Sequence, residues 1–156
     1  MACARIAEAR DFLLNRLPGS FNTAYVLRMA ESAIRAGAGN CREYCAVAFR
    51  YLYTRNILPL DFVSYTRADH AFLVLGRPAK RVGDPNRPTD IRWFEYWGPD
   101  PVICDPWVGH QGEPMVTTMA DYKARYDADH VESKLRVELS LTKTGNRVYG
   151  SAEAPT

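Results

Sequence analysis

From residue 36 to residue 52 the chain reads AGAGNCREYCAVAFRYL, and after Asn40 apolar residues return every three or four positions: Cys41, Tyr44, Cys45, Ala48, Phe49 and Leu52. That period puts them on one stripe of an amphipathic helix. The predicted helix carries Cys41 on its first turn and ends near Asn56 and Pro59. Residues 4–16 and 23–36 show the same periodicity. Between them lies LPGSFN, in which Pro18 and Gly19 mark a turn and Ser20 or Asn22 can cap the next helix.

Beyond Pro59 the pattern changes. DFVSY (61–65), HAFLVLG (70–76), IRWFEYW (91–97) and VICDPW (102–107) are rich in β-branched and aromatic residues and are separated by turn signals, so they read as strands. Residues 117–127 suit a short helix, and KLRVELSLT (134–142) alternates like a half-buried strand. RPAKRVGDPNRPTD (77–90), with three prolines and many charges, reads as an exposed loop. The expectation is an α+β fold in which N-terminal helices pack on a mostly antiparallel sheet. Residues 1–150 would form one domain and residues 151–156 a flexible tail.

Composition narrows the function classes. A chain of 156 residues that is 47% apolar suits one domain with a real core. Net charge is +2, from 20 basic and 18 acidic residues scattered singly, so neither a nucleic-acid nor a membrane-surface footprint is visible. Four cysteines at irregular spacing do not make a disulfide scaffold, and reduced thiols are expected. With no long apolar run and no secretory signal in MACARIAEARDF, the chain is expected to be soluble and cytoplasmic where it is made.

Three histidines are available for chemistry: His70, His110 and His130. His110 sits in GHQG and His130 follows YDAD, both suited to solvated roles, whereas His70 opens the most apolar strand. A thiol is activated where unsatisfied N–H groups of a helix start and a nearby imidazolium favour its anion. Cys41 occupies such a position, and Cys45, one turn further in, reads as core. A histidine base needs a carboxylate to orient it. Asp69 would point to the opposite strand face from His70. Asp105 ends VICD just before Pro106 in apolar surroundings, where a carboxylate is costly without a partner. Each residue also has an ordinary reading, as a core cysteine, a hydrogen-bonded histidine and an Asp-Pro turn. Cys41, Cys45 and His70 could instead ligate zinc, and RWFEYWG could serve a non-catalytic interaction module.

GNCREYCAVAF, DHAFLVLG and VICDPW, in that order, resemble the papain-like Cys-His-Asp fold. The likeness is to its bacterial toxin and effector branch, which includes YopT-type cysteine proteases and dermonecrotic-toxin-like glutamine deamidases. It spans roughly residues 36–110. The resemblance implies a thiol amide hydrolase without cofactor or metal, with Cys41 as nucleophile, His70 as general base and acid, and Asp105 as the orienting carboxylate. Its oxyanion donors would be the Cys41 backbone N–H and, in the loop after Asp105, Gln111, since no glutamine stands a few residues before Cys41. The implied substrate is a protein, of a host or competitor cell reached through a secretion system, and the implied partners include a cognate chaperone or immunity protein. Deamidation, proteolysis and transglutamination share the first step. The short helical part before Cys41 favours a shallow pit that admits one side-chain amide, hence glutamine deamidation. The thiol is expected at the exposed rim of the sheet.

Overall fold

The computed structural model describes residues 21–65, 70–77, 89–90, 99–107, 114–126 and 134–149. The expected helix over 4–16, the strand over 91–97 and the tail lie outside these, as do Asp69, His110, Gln111 and His130.

Helix α1 runs Thr23–Ala36, as its periodicity predicts. Asn22 caps it by accepting the Tyr25 N–H at 2.9 Å, and Gly37, at φ +60°, closes it with an N–H to the Ala33 and Ile34 carbonyls. Helix α2 runs Cys41–Thr54. Its buried face carries Cys41, Cys45, Ala46 and Phe49. Tyr44, expected on the apolar stripe, is 48% exposed. It lies at the edge of the stripe, where the helix turns from the sheet toward solvent.

The sheet is antiparallel in every described pairing. Its strands are β1 Leu60–Tyr65, β2 Ala71–Leu75, β3 Thr89–Asp90, β4 Val102–Asp105, β5 Met115–Thr118, β6 Lys134–Leu141 and β7 Arg147–Tyr149. Among the described residues the order is β3-β6-β1-β2-β4-β5, with β7 paired to β6. Helix α3, Met119–Tyr126, follows β5 directly.

All six residues of β1 are buried because both faces of the sheet are covered. Leu60, Phe62, Ala71, Leu73, Leu139 and Leu141 pack with α1 and α2 through Val26, Met29, Cys45 and Phe49. On the opposite face Val63, Phe72, Val74, Ile103 and Val137 pack with Met119 and Tyr122 of α3. The molecule is thus an α+β fold with helices on a sheet. No helix among the described residues is long and apolar enough to cross a membrane.

Three expectations are corrected. The segment read as an exposed loop over 77–90 starts on a buried Arg77, whose guanidinium meets Asp61 bidentately at 2.8 and 3.0 Å. It ends in β3, which pairs with β6. A charge that neutralises a buried carboxylate is drawn inward however polar its neighbours are. The helix expected from residue 117 begins at Met119, because the β-branched residues before it complete β5 beside β4. Thr118 then caps it, accepting the Asp121 N–H at 3.2 Å. Strand β7 has no counterpart in the expectations. It follows a turn in which Gly145 takes φ +79°, a conformation that glycine adopts without strain.

Candidate active site

The start of α2 is set by a capping box. The Asn40 side chain accepts the Arg42 N–H at 3.2 Å, and the Glu43 carboxylate accepts the Asn40 N–H at 3.0 Å. A Cβ at Gly39 would stand 2.6 Å from the Glu43 Cβ, so only glycine lets the chain approach the box this closely. The GAGN lead-in therefore fixes where the helix begins, and Cys41 is its first residue.

His70 immediately precedes β2, and Asp105 is the last residue of the neighbouring β4. Antiparallel pairing brings these two ends together, and His70 Nε2 lies 2.7 Å from Asp105 Oδ2. His70 is also hydrogen-bonded to Cys41. Burial by itself would lower the pKa of His70. The hydrogen bonds to Asp105 and Cys41, together with the charges of those two groups, outweigh it and raise the value from 6.5 to about 9. At neutral pH the imidazole is a cation held between a carboxylate and a thiol.

Asp105 is completely buried. Its Oδ1 accepts the Trp107 N–H at 3.1 Å across Pro106, and its Oδ2 accepts the Tyr122 hydroxyl at 3.1 Å in addition to His70. Neither donor was read from the sequence. Asx turns around Asp-Pro supply a signal for the first. The hydroxyl contact comes from a helix 17 positions away and has no local signature.

The expectation of an exposed thiol is corrected: Cys41 is 1% exposed. Its side chain turns inward with the buried face of α2 toward the His70 ring. The rings of Tyr44, three residues along α2, and Trp107, two residues past Asp105, stack at 6.3 Å. Cys45 is fully buried and donates its S–H to the Ala71 carbonyl at 3.0 Å. Burial, with the Asp105 charge adding to it, pushes the Cys45 thiol well above its ordinary range, which keeps it protonated. Cys104, half-buried on β4, is raised by burial and then by Asp105. The structure thus brings Cys41, His70 and Asp105 into one contact chain and leaves Cys45 in the core. Gln111 lies outside the described residues.

Among the described residues no group of three or more His, Cys, Asp or Glu side chains is arranged to hold a metal ion. In the zinc reading, Cys45 is engaged with a backbone carbonyl and His70 with Asp105.

No family model, curated protein or solved structure matches this chain in the corresponding searches.

Proposed function

We propose that the chain is a papain-like thiol amide hydrolase in which Cys41 is the nucleophile, His70 the general acid and base, and Asp105 the carboxylate that orients it. The observation that carries this reading is the His70–Asp105 contact of 2.7 Å, with the other face of the ring given to a cysteine at a helix start. A thiolate–imidazolium pair is the activated form of such a nucleophile. Attack of the Cys41 sulfur on a carboxamide carbon forms the C–S bond, and the His70 proton passes to the departing nitrogen, which leaves as ammonia. Water then gives a proton to His70 and its oxygen to the carbonyl carbon. The C–S bond breaks, and a carboxylic acid and the thiolate remain. The oxyanion formed in each step lies beside the start of α2, where the Cys41 N–H opens the helix.

The buried position of Cys41 favours deamidation of a glutamine side chain over the alternatives. A thiol this deeply placed is reached by one slender side-chain amide more readily than by a main chain that must be gripped on both sides. The substrate is then a folded protein that docks around the opening. Cleavage of a peptide bond, or capture of the thioester by an amine, would use the same first step. Action inside a host or competitor cell, with delivery by a secretion system, belongs to this proposal.

Brief iodoacetamide treatment near neutral pH is expected to label Cys41 before Cys45 and Cys104, as read by peptide mapping. The comparison is demanding because Cys104 is the more exposed thiol. Labelling that starts at Cys104 would mean that access, not ionisation, governs reactivity, and Cys41 would lose its assignment.

The rate of the reaction is expected to fall as pH rises through about 9, where His70 gives up the proton needed by the leaving nitrogen. The sign for stability is the same. A proton held more tightly in the folded than in the unfolded chain contributes fully below about 6.5, and its contribution is lost up to about 9. Activity and melting temperature measured across pH 6 to 10 check both. An activity that keeps climbing up to pH 10 contradicts the role of His70.

A further inference from the structure

We infer that Tyr122 is a positioning residue for the proposed reaction, fixing the Asp105 carboxylate in the one orientation that supports the His70 cation. The inference rests on the thiol-hydrolase reading and adds a group from an element that contributes nothing else to the site.

The geometry is specific. Asp105 Oδ2 receives two donors, His70 Nε2 at 2.7 Å and the Tyr122 hydroxyl at 3.1 Å, whereas Oδ1 is held by the Trp107 N–H at 3.1 Å. That N–H belongs to the turn that starts at Asp105, so it moves with the end of β4. Tyr122 belongs to α3 and is fully buried, its ring packed 4.9 Å from Phe72 of β2. Beside the contact with His70, it ties the carboxylate to a helix outside its own turn. A buried phenol with its hydroxyl on a carboxylate is an ordered donor, since no water is at hand to replace it. Without the hydroxyl, the carboxylate is held less firmly about its Cβ–Cγ bond and shares its charge less evenly with the imidazole.

Among the described residues, Cys41 of α2 and Asp105 of β4 act on His70, and the Tyr65 ring of β1 lies 5.8 Å away; Tyr122 of α3 acts through Asp105. Cys45 is protonated, so the groups that hold the imidazolium are the Asp105 carboxylate and Cys41. Loosening Asp105 weakens one of the two and lowers the proton affinity of His70. Cys41 loses the support of the imidazolium in turn.

The test is a Tyr122→Phe substitution in the full chain, read by nuclear magnetic resonance titration of the His70 ring, assigned by its loss in His70→Gln. Phenylalanine keeps the packing on Phe72. The wild-type midpoint is expected near 9. In Tyr122→Phe it should fall by about half a pH unit or more, and Cys41 alkylation at neutral pH should slow several-fold. Met119→Leu, which alters the same helix without touching Asp105, should leave both unchanged. A Tyr122→Phe protein that melts earlier but titrates and alkylates like wild type would show the tyrosine to be structural and overturn the inference. A wild-type His70 that titrates near 6.5 would instead remove the ion pair and the proposed function with it.

Discussion

A protein substrate incubated with the wild-type chain is expected to gain about 1 Da with release of ammonia and no fragments, the mass change of an amide converted to an acid. The Cys41→Ala chain is expected to leave the same substrate unchanged. The loss should be large because neither of the other thiols among the described residues is placed to replace the sulfur. Cys45, one turn along α2, is directed at the Ala71 carbonyl and held protonated. Cys104 lies on β4 with its thiol disfavoured as an anion by burial and then by the adjacent Asp105 charge. For residues that act as one unit, removal of the nucleophile costs on the order of a million-fold in rate and a second removal adds little. His70→Ala should therefore fall nearly as far, and the double variant hardly further. Intact-mass analysis of candidate substrates reads both results. Discrete cleavage products that vanish with Cys41→Ala would keep the nucleophile and replace deamidation by proteolysis. Equal conversion by wild type and Cys41→Ala would end the thiol-hydrolase reading.

Asp105 is expected to show the largest combined effect on stability and chemistry. It is 0% exposed and accepts from three groups: His70, Tyr122 and the Trp107 N–H. Asp105→Ala leaves these donors without their buried acceptor, for a cost on the order of 3–5 kcal/mol, as when one partner of a buried ion pair is removed. Chemical denaturation measures that cost. Asp105→Asn separates chemistry from folding, since it keeps the shape and one acceptor oxygen but drops the charge. Activity is expected to fall on the order of a thousandfold, as when a carboxylate that orients a catalytic histidine is neutralised. The His70 titration should move down from about 9. A folded, fully active Asp105→Asn chain would show that the carboxylate does not orient the histidine.

How much of this was legible in the sequence depends on how local the determinants are. Asn22 and Gly37 bracket α1, and Asn40 with Glu43 opens α2, because caps are read within four residues of chain. The strand containing Ile103 was legible because it is short, apolar and stopped by Pro106. The pairing of His70 with Asp105 was within reach because each is a polar group at the end of an apolar strand and therefore needs the other. Periodicity set the side of α2 that carries Cys41, but not how deep that residue would lie, since the depth depends on the sheet it meets. The same limit explains Tyr44, which shares the period yet falls at the edge of the covered stripe. Arg77 read as surface charge because its partner Asp61 is 16 positions away, and Tyr122 drew no reading of its own because its hydroxyl finds Asp105 only after α3 has docked. Contacts made by tertiary docking leave no trace in local pattern.

The place of β1 at the centre of the sheet bears on the order in which the chain can fold. Its neighbour β2 follows at once, but its other neighbour, β6, comes from the far end of the described chain, so that Ser64 and Glu138, joined at 2.7 Å, are 74 positions apart. The contacts of the site span less: 35 positions for His70 to Asp105, 26 for Cys45 to Ala71, and 17 for Tyr122 to Asp105. The entropy of closing a loop rises with its length, by about 0.6 kcal/mol for each doubling. A chain growing from its N-terminus would then have the elements of the site, α2 through α3, available before β6 exists to cover the other side of β1. Docking of that last strand would come late, as the step that closes the core around a site already assembled.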